Sequence, residues 1–485
     1  MSFVLRVDQQ RGMDLLRQSL GSGKRRPMLQ ASTGWGKTVV AAAIVEGARA
    51  KHKRVLFTVP AISLIDQTVE RFWQHGIRDI GVIQANHPMT NPAMPVQVAS
   101  VQTLQKRGRI PPADLVLIDE AHRWYTFYSQ WMAHEEWRRV PFIGLSATPW
   151  TKGLGKHYDD LIIATTTADL IKAGHLSPFK VFAPSHPDLS KVRTVAGDYH
   201  EGDLSKAMDK APLTADIVRT WLDKAEGRPT FVFAVDRAHA QSIADRFTAA
   251  GVSTGYIDAN TPRQEREVIR RKFHAKAIQV VCNVGCLTTG VDWDVRCIVL
   301  ARPTKSEMLY VQMIGRGLRT APGKADCLIL DHSDTTLRLG FVTDIRHDTL
   351  DDGKARGKAK PREKKEPALP KDCPSCGFLK PARVRKCSNC GFEAKPQSGE
   401  GQGELAELAP GKVKADMAMK QKWFSMLLHY GRRRGFKDGW VANQFRAKFG
   451  TWPRSLAETP TEPDAEVLGW IKHRMIAWSK SKRAA

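Results

Sequence analysis

The segment Ala31-Ser-Thr-Gly-Trp-Gly-Lys37-Thr38 runs directly into the apolar stretch VVAAAIV. A glycine-rich turn that opens a helix aims backbone N–H groups at the helix N-terminus, and phosphate is the group such a turn holds best. In that arrangement Thr33, Gly34 and Gly36 shape a cradle, Lys37 reaches the β- and γ-phosphates of a nucleotide, and the Thr38 hydroxyl ligates Mg²⁺. The strict pattern GxxxxGK[ST] has glycine where this chain has Ala31. From these residues alone, an ordinary glycine-rich turn at a helix start therefore stays open.

A second motif narrows the choice. Leu115-Val-Leu-Ile118 reads as a buried strand and ends in Asp119-Glu120-Ala121-His122. A carboxylate at the C-terminal end of a strand is where a nucleotide-binding fold holds its metal. Asp119 is thus expected to hold Mg²⁺, directly or through water, and Glu120 to position or deprotonate the attacking water. The surrounding chain fits. Residues 1–345 alternate helix-length stretches with short apolar runs at 55–59, 96–99, 115–118, 142–145, 231–234, 279–282, 297–300 and 327–330. Continuous β-branched or aromatic runs of this kind suit strands buried on both faces of a parallel sheet. The stretch exceeds one typical domain and is divided near residue 165.

Further motifs follow in order, and together they resemble a superfamily 2 helicase or translocase over about residues 5–335. Gln9 in RVDQQ resembles an adenine-reading glutamine. Val59-Pro60, Leu64 and Gln67 resemble motif Ia, and Val101-Gln102-Thr103 resembles motif Ib. Asp119–His122 is similar to a DEAH box and Ser146-Ala147-Thr148 to motif III. Thr288-Thr289-Gly290-Val291-Asp292 resembles motif V, and Gln312-Met-Ile-Gly315-Arg316-Gly-Leu-Arg319 resembles motif VI. The stretch Cys286–Asp331 most resembles the RadD-like branch, a group linked to DNA repair. The resemblance implies two tandem RecA-like lobes with ATP between them. It implies that Gln9, Gly290 and Asp292 bind nucleotide, that Gln312 is catalytic, and that Ser146 and Thr148 link the Mg²⁺ side of the cleft to the nucleic-acid face. Arg316 and Arg319, three residues apart, are expected from the second lobe as cations at the γ-phosphate.

Charge points to the partner. The chain carries 75 Lys and Arg against 50 Asp and Glu, a net charge of +25, which favours a polyanion, most directly nucleic acid. Charge does not separate DNA from RNA; the RadD-like resemblance favours DNA, single-stranded, duplex or branched. Repair or single-strand-binding proteins are candidate partners. No apolar run approaches a membrane span, and MSFVLRVDQQ has no secretory pattern. The expected setting is the cytoplasm of a bacterial or phage-infected cell.

The eight cysteines divide into two groups. Cys282, Cys286, Cys297 and Cys327 are scattered and read as buried fillers. Cys373-Pro-Ser-Cys376-Gly and Cys387-Ser-Asn-Cys390-Gly form two CxxC knuckles. Four thiolates make a closed tetrahedral site, hence structural Zn²⁺; a redox pair is the alternative. Arg383, Arg385 and Lys386 between the knuckles read equally as phosphate contacts or as a solvated loop.

The expected organisation is α/β lobes at 1–165 and 166–345, a basic linker at 346–371, and a four-cysteine zinc knuckle at 372–393. A flexible linker at 394–411 and a basic helical domain at 412–485 follow. In that last part Trp423, Met426, Leu427 and Tyr430 share a helix face, and Phe445 and Phe449 read as core. The basic face with Arg432, Arg433 and Arg434 is expected to meet DNA. The chain thus reads as an ATP-dependent DNA helicase or translocase. An ATP-gated DNA-binding repair scaffold, or an RNA helicase, shares the same motifs.

Overall fold

All eight apolar runs are strands, and each belongs to one of two all-parallel sheets. The computed structural model describes residues 4–288, 292–354, 369–382 and 384–393, and then 417–436, 438–449, 451–453, 455–464, 466–471 and 474. The first sheet holds β1 (Pro27–Gln30), β2 (Val55–Val59), β3 (Ile80–Ile83), β4 (Val96–Ser100), β5 (Leu115–Asp119), β6 (Phe142–Ser146) and β7 (Asp160–Ile163), ordered β3-β4-β2-β5-β6-β1-β7. The second holds β8 (Phe179–Phe182), β11 (Thr230–Phe233), β12 (Thr254–Ile257), β13 (Val280–Asn283), β14 (Cys297–Leu300) and β15 (Cys327–Asp331), ordered β12-β13-β11-β14-β15-β8. A small hairpin, β9 (Thr194–Val195) and β10 (Asp198–Tyr199), lies between β8 and β11 in the chain. Cys282, Cys297 and Cys327 are fully buried on these strands, and burial raises their thiols far above the ordinary range.

The order of the first sheet positions the site. β1, β6 and β5 are consecutive neighbours, with Gln30 opposite Ser146 and Asp119 opposite Leu145. The lysine loop, the Ser146–Thr148 turn and the Asp119–His122 turn therefore leave the sheet side by side, at the strand ends where parallel α/β sheets bind ligands. Helix α1 (Val7–Gly21) precedes β1, α2 (Lys37–Arg49) follows the lysine loop, and α3 (Ile65–Gln74) follows β2. The Cys286–Asp292 stretch is described except for residues 289–291, so Gly290 lies outside the described residues.

After the second sheet the chain comes back to the first. His347 Nε2 lies 2.6 Å from Glu307 Oε2 on the helix Glu307–Gly317, and its ring packs on Trp150 with centroids 4.7 Å apart. Leu350 packs on the first lobe's aromatic cluster of Tyr128, Trp131, Trp137 and Phe142. Asp351 accepts from Gly153 N at 2.9 Å and from Gly155 N at 2.7 Å. Residues 341–354 are thus part of the folded body, although the last nine fall in the span expected as a basic linker; residues 355–368 lie outside the described residues.

The cysteine segment sits on the second sheet. Its strands β16 (Lys371–Asp372) and β17 (Leu379–Lys380) pair antiparallel. Ala183 N donates to Gly377 O at 2.9 Å, and Phe378 meets Phe182 edge-on at 5.4 Å. This covers the outer edge of β8, an edge strand that would otherwise expose unpaired backbone groups.

Contacts divide the chain into two compact units, Met1–Lys395 and Pro396–Ala485. In the second unit the helices Met417–Arg433 and Asp438–Phe449 enclose Phe424, Leu427, Val441 and Phe445, with Val467 and Ile471. Trp423 and Phe445 are buried, whereas Arg432, Arg433 and Arg434 are exposed. The expected linker at 394–411 lies outside the described residues. Among the described residues, no helix is long and apolar enough to cross a membrane.

Leu350→Asp sets a carboxylate against the aromatic cluster and is expected to lower the unfolding free energy by about 2 kcal/mol. Limited proteolysis should then cut within 341–354 earlier than in the wild type. An unchanged digestion pattern would mean that this segment is not held against the first lobe.

Candidate active site

The lysine loop is shaped by two residues in the left-handed region, Gly34 (φ +81°) and Gly36 (φ +87°), where a side chain is strained. Between them Trp35 turns inward and is fully buried, so it anchors the loop. Lys37 opens α2 and carries its ammonium to the end of β5. Its Nζ lies 2.7 Å from Asp119 Oδ1 and 2.5 Å from Glu120 Oε1. Glu120 itself adopts φ +48°, a conformation that costs a non-glycine residue about 1–2 kcal/mol. The turn aims its carboxylate at Lys37.

Burial acts to lower the Lys37 ammonium, but Asp119 and Glu120 outweigh it and hold the group above its ordinary value. Burial acts to raise Glu120, yet Lys37, then His122, hold it down to about 2. Glu120 is thus firmly ionised. For Asp119, burial wins and raises the carboxyl, with Lys37 opposing.

Lobe 2 contributes the rest. Arg316 on the helix Glu307–Gly317 is 7% exposed; burial first, then Arg319, pull it down to about 9, which leaves it charged. Arg319 donates to Asp292 Oδ1. Thr33, Gly34, Gly36, Lys37 and Thr38 line one cleft of about 420 Å³ with Asp119 and Glu120. Asp292, Arg316 and Arg319 line the same cleft from the second lobe. That volume lies within the usual range of ligand sites, about 300–1,000 Å³. A hydroxyl and a carboxylate, Thr38 and Asp119, face a cleft rich in phosphate-binding cations, a donor set that suits Mg²⁺.

Two expected residues stand elsewhere. Gln9 is buried behind the loop. Its Nε2 donates to Trp35 O at 2.8 Å, and its Oε1 accepts from Arg6 N at 3.0 Å. Gln312 lies between the lobes. Its Nε2 is 3.2 Å from both Thr148 Oγ1 and His122 Nε2. His122 Nδ1 is 2.9 Å from Ser146 Oγ and 3.4 Å from Glu120 Oε2. With Gln312 donating to Nε2, the proton of the neutral ring sits on Nδ1 and is donated toward Ser146 and Glu120. A polar chain thus runs from Glu120 in the first lobe to Gln312 in the second. The lobes also touch at Gly315, where an added Cβ would lie 2.8 Å from Thr33.

Two residues of the site carried no role in the sequence. His122 was visible as the last letter of a motif, but only the fold brings Gln312 to it. Arg71 lies outside the motifs; its signal is the spacing Gln67, Arg71, Gln74 along α3, all facing the cleft.

The four knuckle sulfurs lie within 4.8 Å of one another, with Cys373–Cys390 at 3.7 Å and Cys376–Cys387 at 3.8 Å. Sulfurs about 2.3 Å from a tetrahedral centre stand about 3.8 Å apart, whereas a disulfide would bring them to about 2 Å. The donor set and its spacing fit Zn²⁺.

Burial lowers the His122 imidazole from 6.5 to about 4. Protonation therefore favours the unfolded chain. The stability tied to the neutral ring is complete above pH 6.5 and is lost as the pH falls from 6.5 toward 4. His122→Asn keeps a donor for Ser146 without titrating. It should show a smaller loss of unfolding free energy between pH 7.5 and pH 5 than the wild type. Equal losses would contradict a buried neutral His122.

Comparison with known proteins agrees with this geometry. Residues 2–151 match the family described as type III restriction enzyme, res subunit, and residues 213–321 match the helicase conserved C-terminal domain. A 51.5 kDa protein of a Lactococcus phage (isolate 7-9) is 30% identical over 430 residues, 87% of this chain and 89% of the phage protein. IRC3 of Saccharomyces cerevisiae, assigned by name to the ATP-dependent helicases, is 30% identical over 361 residues, 68% of this chain and 51% of IRC3. The match thus spans about half of the yeast protein's length. Among solved structures, a fragment assigned as an HsdR subunit of a type I restriction enzyme from Vibrio vulnificus YJ016 superposes with a TM-score of 0.55 at 21% identity. The superposition covers 73% of this chain and 68% of that one, a likeness of fold. With both halves of the motor present in chain order around one cleft, this chain belongs to the superfamily 2 helicases, nucleic-acid-dependent ATPases built on two RecA-like lobes.

Proposed function

We propose that this chain is a DNA translocase or helicase that couples ATP hydrolysis to the movement of its lobes along DNA, with a role in repair, recombination or phage replication. The observation that carries the reading is the single cleft in which Lys37, Asp119 and Glu120 of one lobe meet Arg316 and Arg319 of the other. DNA is favoured over RNA because the first lobe matches a family named for restriction enzymes.

In this reading Lys37 leaves its carboxylates for the β- and γ-phosphates of ATP. Thr38 and Asp119 hold Mg²⁺, which would neutralise phosphate charge. Glu120, held ionised, accepts a hydrogen bond from the attacking water and orients it in line. Arg316, buried and charged, meets the charge that develops on the transferred phosphoryl group; such preorganised cations are worth several kcal/mol. Gln9 acts by bracing the lysine loop through Trp35 O. Gln312, Thr148 and His122 relay the state of Glu120 to the second lobe. The knuckle holds structural Zn²⁺ and caps β8, while the exposed arginines at 432–434 grip DNA phosphates.

The test is ATP turnover with no nucleic acid, single strands, duplexes, forks and RNA. DNA should stimulate it most. Lys37→Ala should abolish it, Glu120→Gln should bind ATP and stall, and Arg316→Ala should slow it by up to about 10³–10⁵. Turnover that no nucleic acid stimulates would overturn the translocase reading in favour of an ATP gate.

Elemental analysis should find one zinc per chain. Cys376→Ser should release it and, by uncovering β8, make lobe 2 aggregate as well as unfold the knuckle. A metal-free preparation with intact knuckles would contradict the zinc site.

Truncation after Lys395 removes 16 Lys and Arg and nine Asp and Glu and should leave the ATP site whole. The log–log salt dependence of DNA affinity should flatten by about 0.7–0.9 per lost phosphate contact. An unchanged slope would remove the C-terminal unit from the DNA interface.

A further inference from the structure

Arg71 belongs to none of the recognised motifs, yet it stands on the wall of the cleft. Helix α3 buries Ile65, Val69 and Phe72 against the sheet. Gln67, Arg71 and Gln74, at i, i+4 and i+7, line the cleft, so this stripe is one continuous helix face.

The guanidinium is aimed at the phosphate cradle. Arg71 Nη1 donates to Thr38 Oγ1 at 3.1 Å, the hydroxyl next to Lys37. On its other side Nη2 lies 3.8 Å from Asp292 Oδ2. That is an ion pair too long for a hydrogen bond, between side chains 39% and 66% exposed, and such pairs are weak. The same Asp292 carboxylate already accepts from Arg319. Asp119 and Glu120 are engaged with Lys37. Among the described residues, then, Arg71 is a cation on the cleft wall whose anionic partner is shared and distant. Its fork of N–H donors matches phosphate oxygens, to which it can bond in pairs.

We propose that Arg71 is a further substrate-contacting residue. It takes the terminal phosphate of the nucleoside triphosphate from the first lobe, exchanging Thr38 and Asp292 for phosphate oxygens. The inference rests on the reading of this cleft as the ATP site and adds a third guanidinium to it, from the lobe opposite Arg316 and Arg319. It also gives Asp292 a switch: with Arg71 drawn to phosphate, Asp292 is left to Arg319 alone, so the ion pairs across the lobes differ between tri- and diphosphate. A residue that reads the terminal phosphate distinguishes ATP from ADP, and a residue that merely packs α3 does not.

The experiment measures the affinity of the full-length protein for fluorescent ATP and ADP analogues, with Mg²⁺, for wild type, Arg71→Ala, Arg71→Gln, Arg71→Lys and Lys37→Ala. Arg71→Ala and Arg71→Gln should weaken the triphosphate by about 10- to 100-fold, the worth of a charged hydrogen bond, and leave the diphosphate within about twofold. Arg71→Lys should recover part of the loss, because charge returns without the fork. Equal weakening of both nucleotides, or no change in either, would overturn the proposal for Arg71. Should Lys37→Ala bind both nucleotides as the wild type does, the reading of the cleft itself fails, and the proposal with it. Lys37→Ala losing both while Arg71→Gln changes neither would sink the Arg71 proposal alone.

Discussion

A lysine held between two carboxylates is the contact on which the site depends. Lys37 joins the loop after β1 to the turn after β5, and its ammonium is acceptable in a buried setting because Asp119 and Glu120 both face it. The pairing fixes the ammonium and both carboxyl groups in place before any substrate arrives. It explains the left-handed backbone of Glu120, which brings the second carboxylate within reach at a local conformational cost. Lowering the barrier of a phosphoryl transfer needs such prearranged charge more than any covalent step.

The second lobe is fitted to that arrangement closely. Gly315 lets the helix Glu307–Gly317 approach Thr33 of the lysine loop, and one turn of the same helix carries both Gln312 and Arg316. Gln312 reaches the neutral His122, which in turn touches Ser146 and lies near Glu120. A change in the partner of Glu120 can therefore alter the hydrogen bonds that hold the lobes. The segment through His347, Leu350 and Asp351 ties the lobes together a second time.

The sheet interiors were legible in the sequence, and their edges were not. β2, β4, β5, β6, β11, β13, β14 and β15 are central strands that must be apolar on both faces, so they read as continuous runs. Four of the strands absent from that reading, β3, β7, β8 and β12, are the outer strands of the two sheets. An outer strand has one neighbour within its sheet and tolerates residues such as Gly81, Asp160, Lys180 and Gly255. β1 is central, but it is four residues long and begins with Pro27. The cleft was legible because phosphate chemistry demands residue types in a fixed order. What order cannot reveal is which polar groups the fold brings together. Gln9 and Gln312 spend their amides on Trp35 and on His122 and Thr148, and Arg71 joins the cleft through a helix face that no motif marks.

The central claim is that ATP bound between the lobes changes their closure on DNA. Paired spin labels at Gln105, in the first lobe, and Gln241, in the second, are both at exposed positions and report the interlobe distance directly. The account predicts a distribution that shifts when a non-hydrolysable ATP analogue and DNA are added together and returns when ADP replaces the analogue. A distribution that stays the same through all these additions would contradict it.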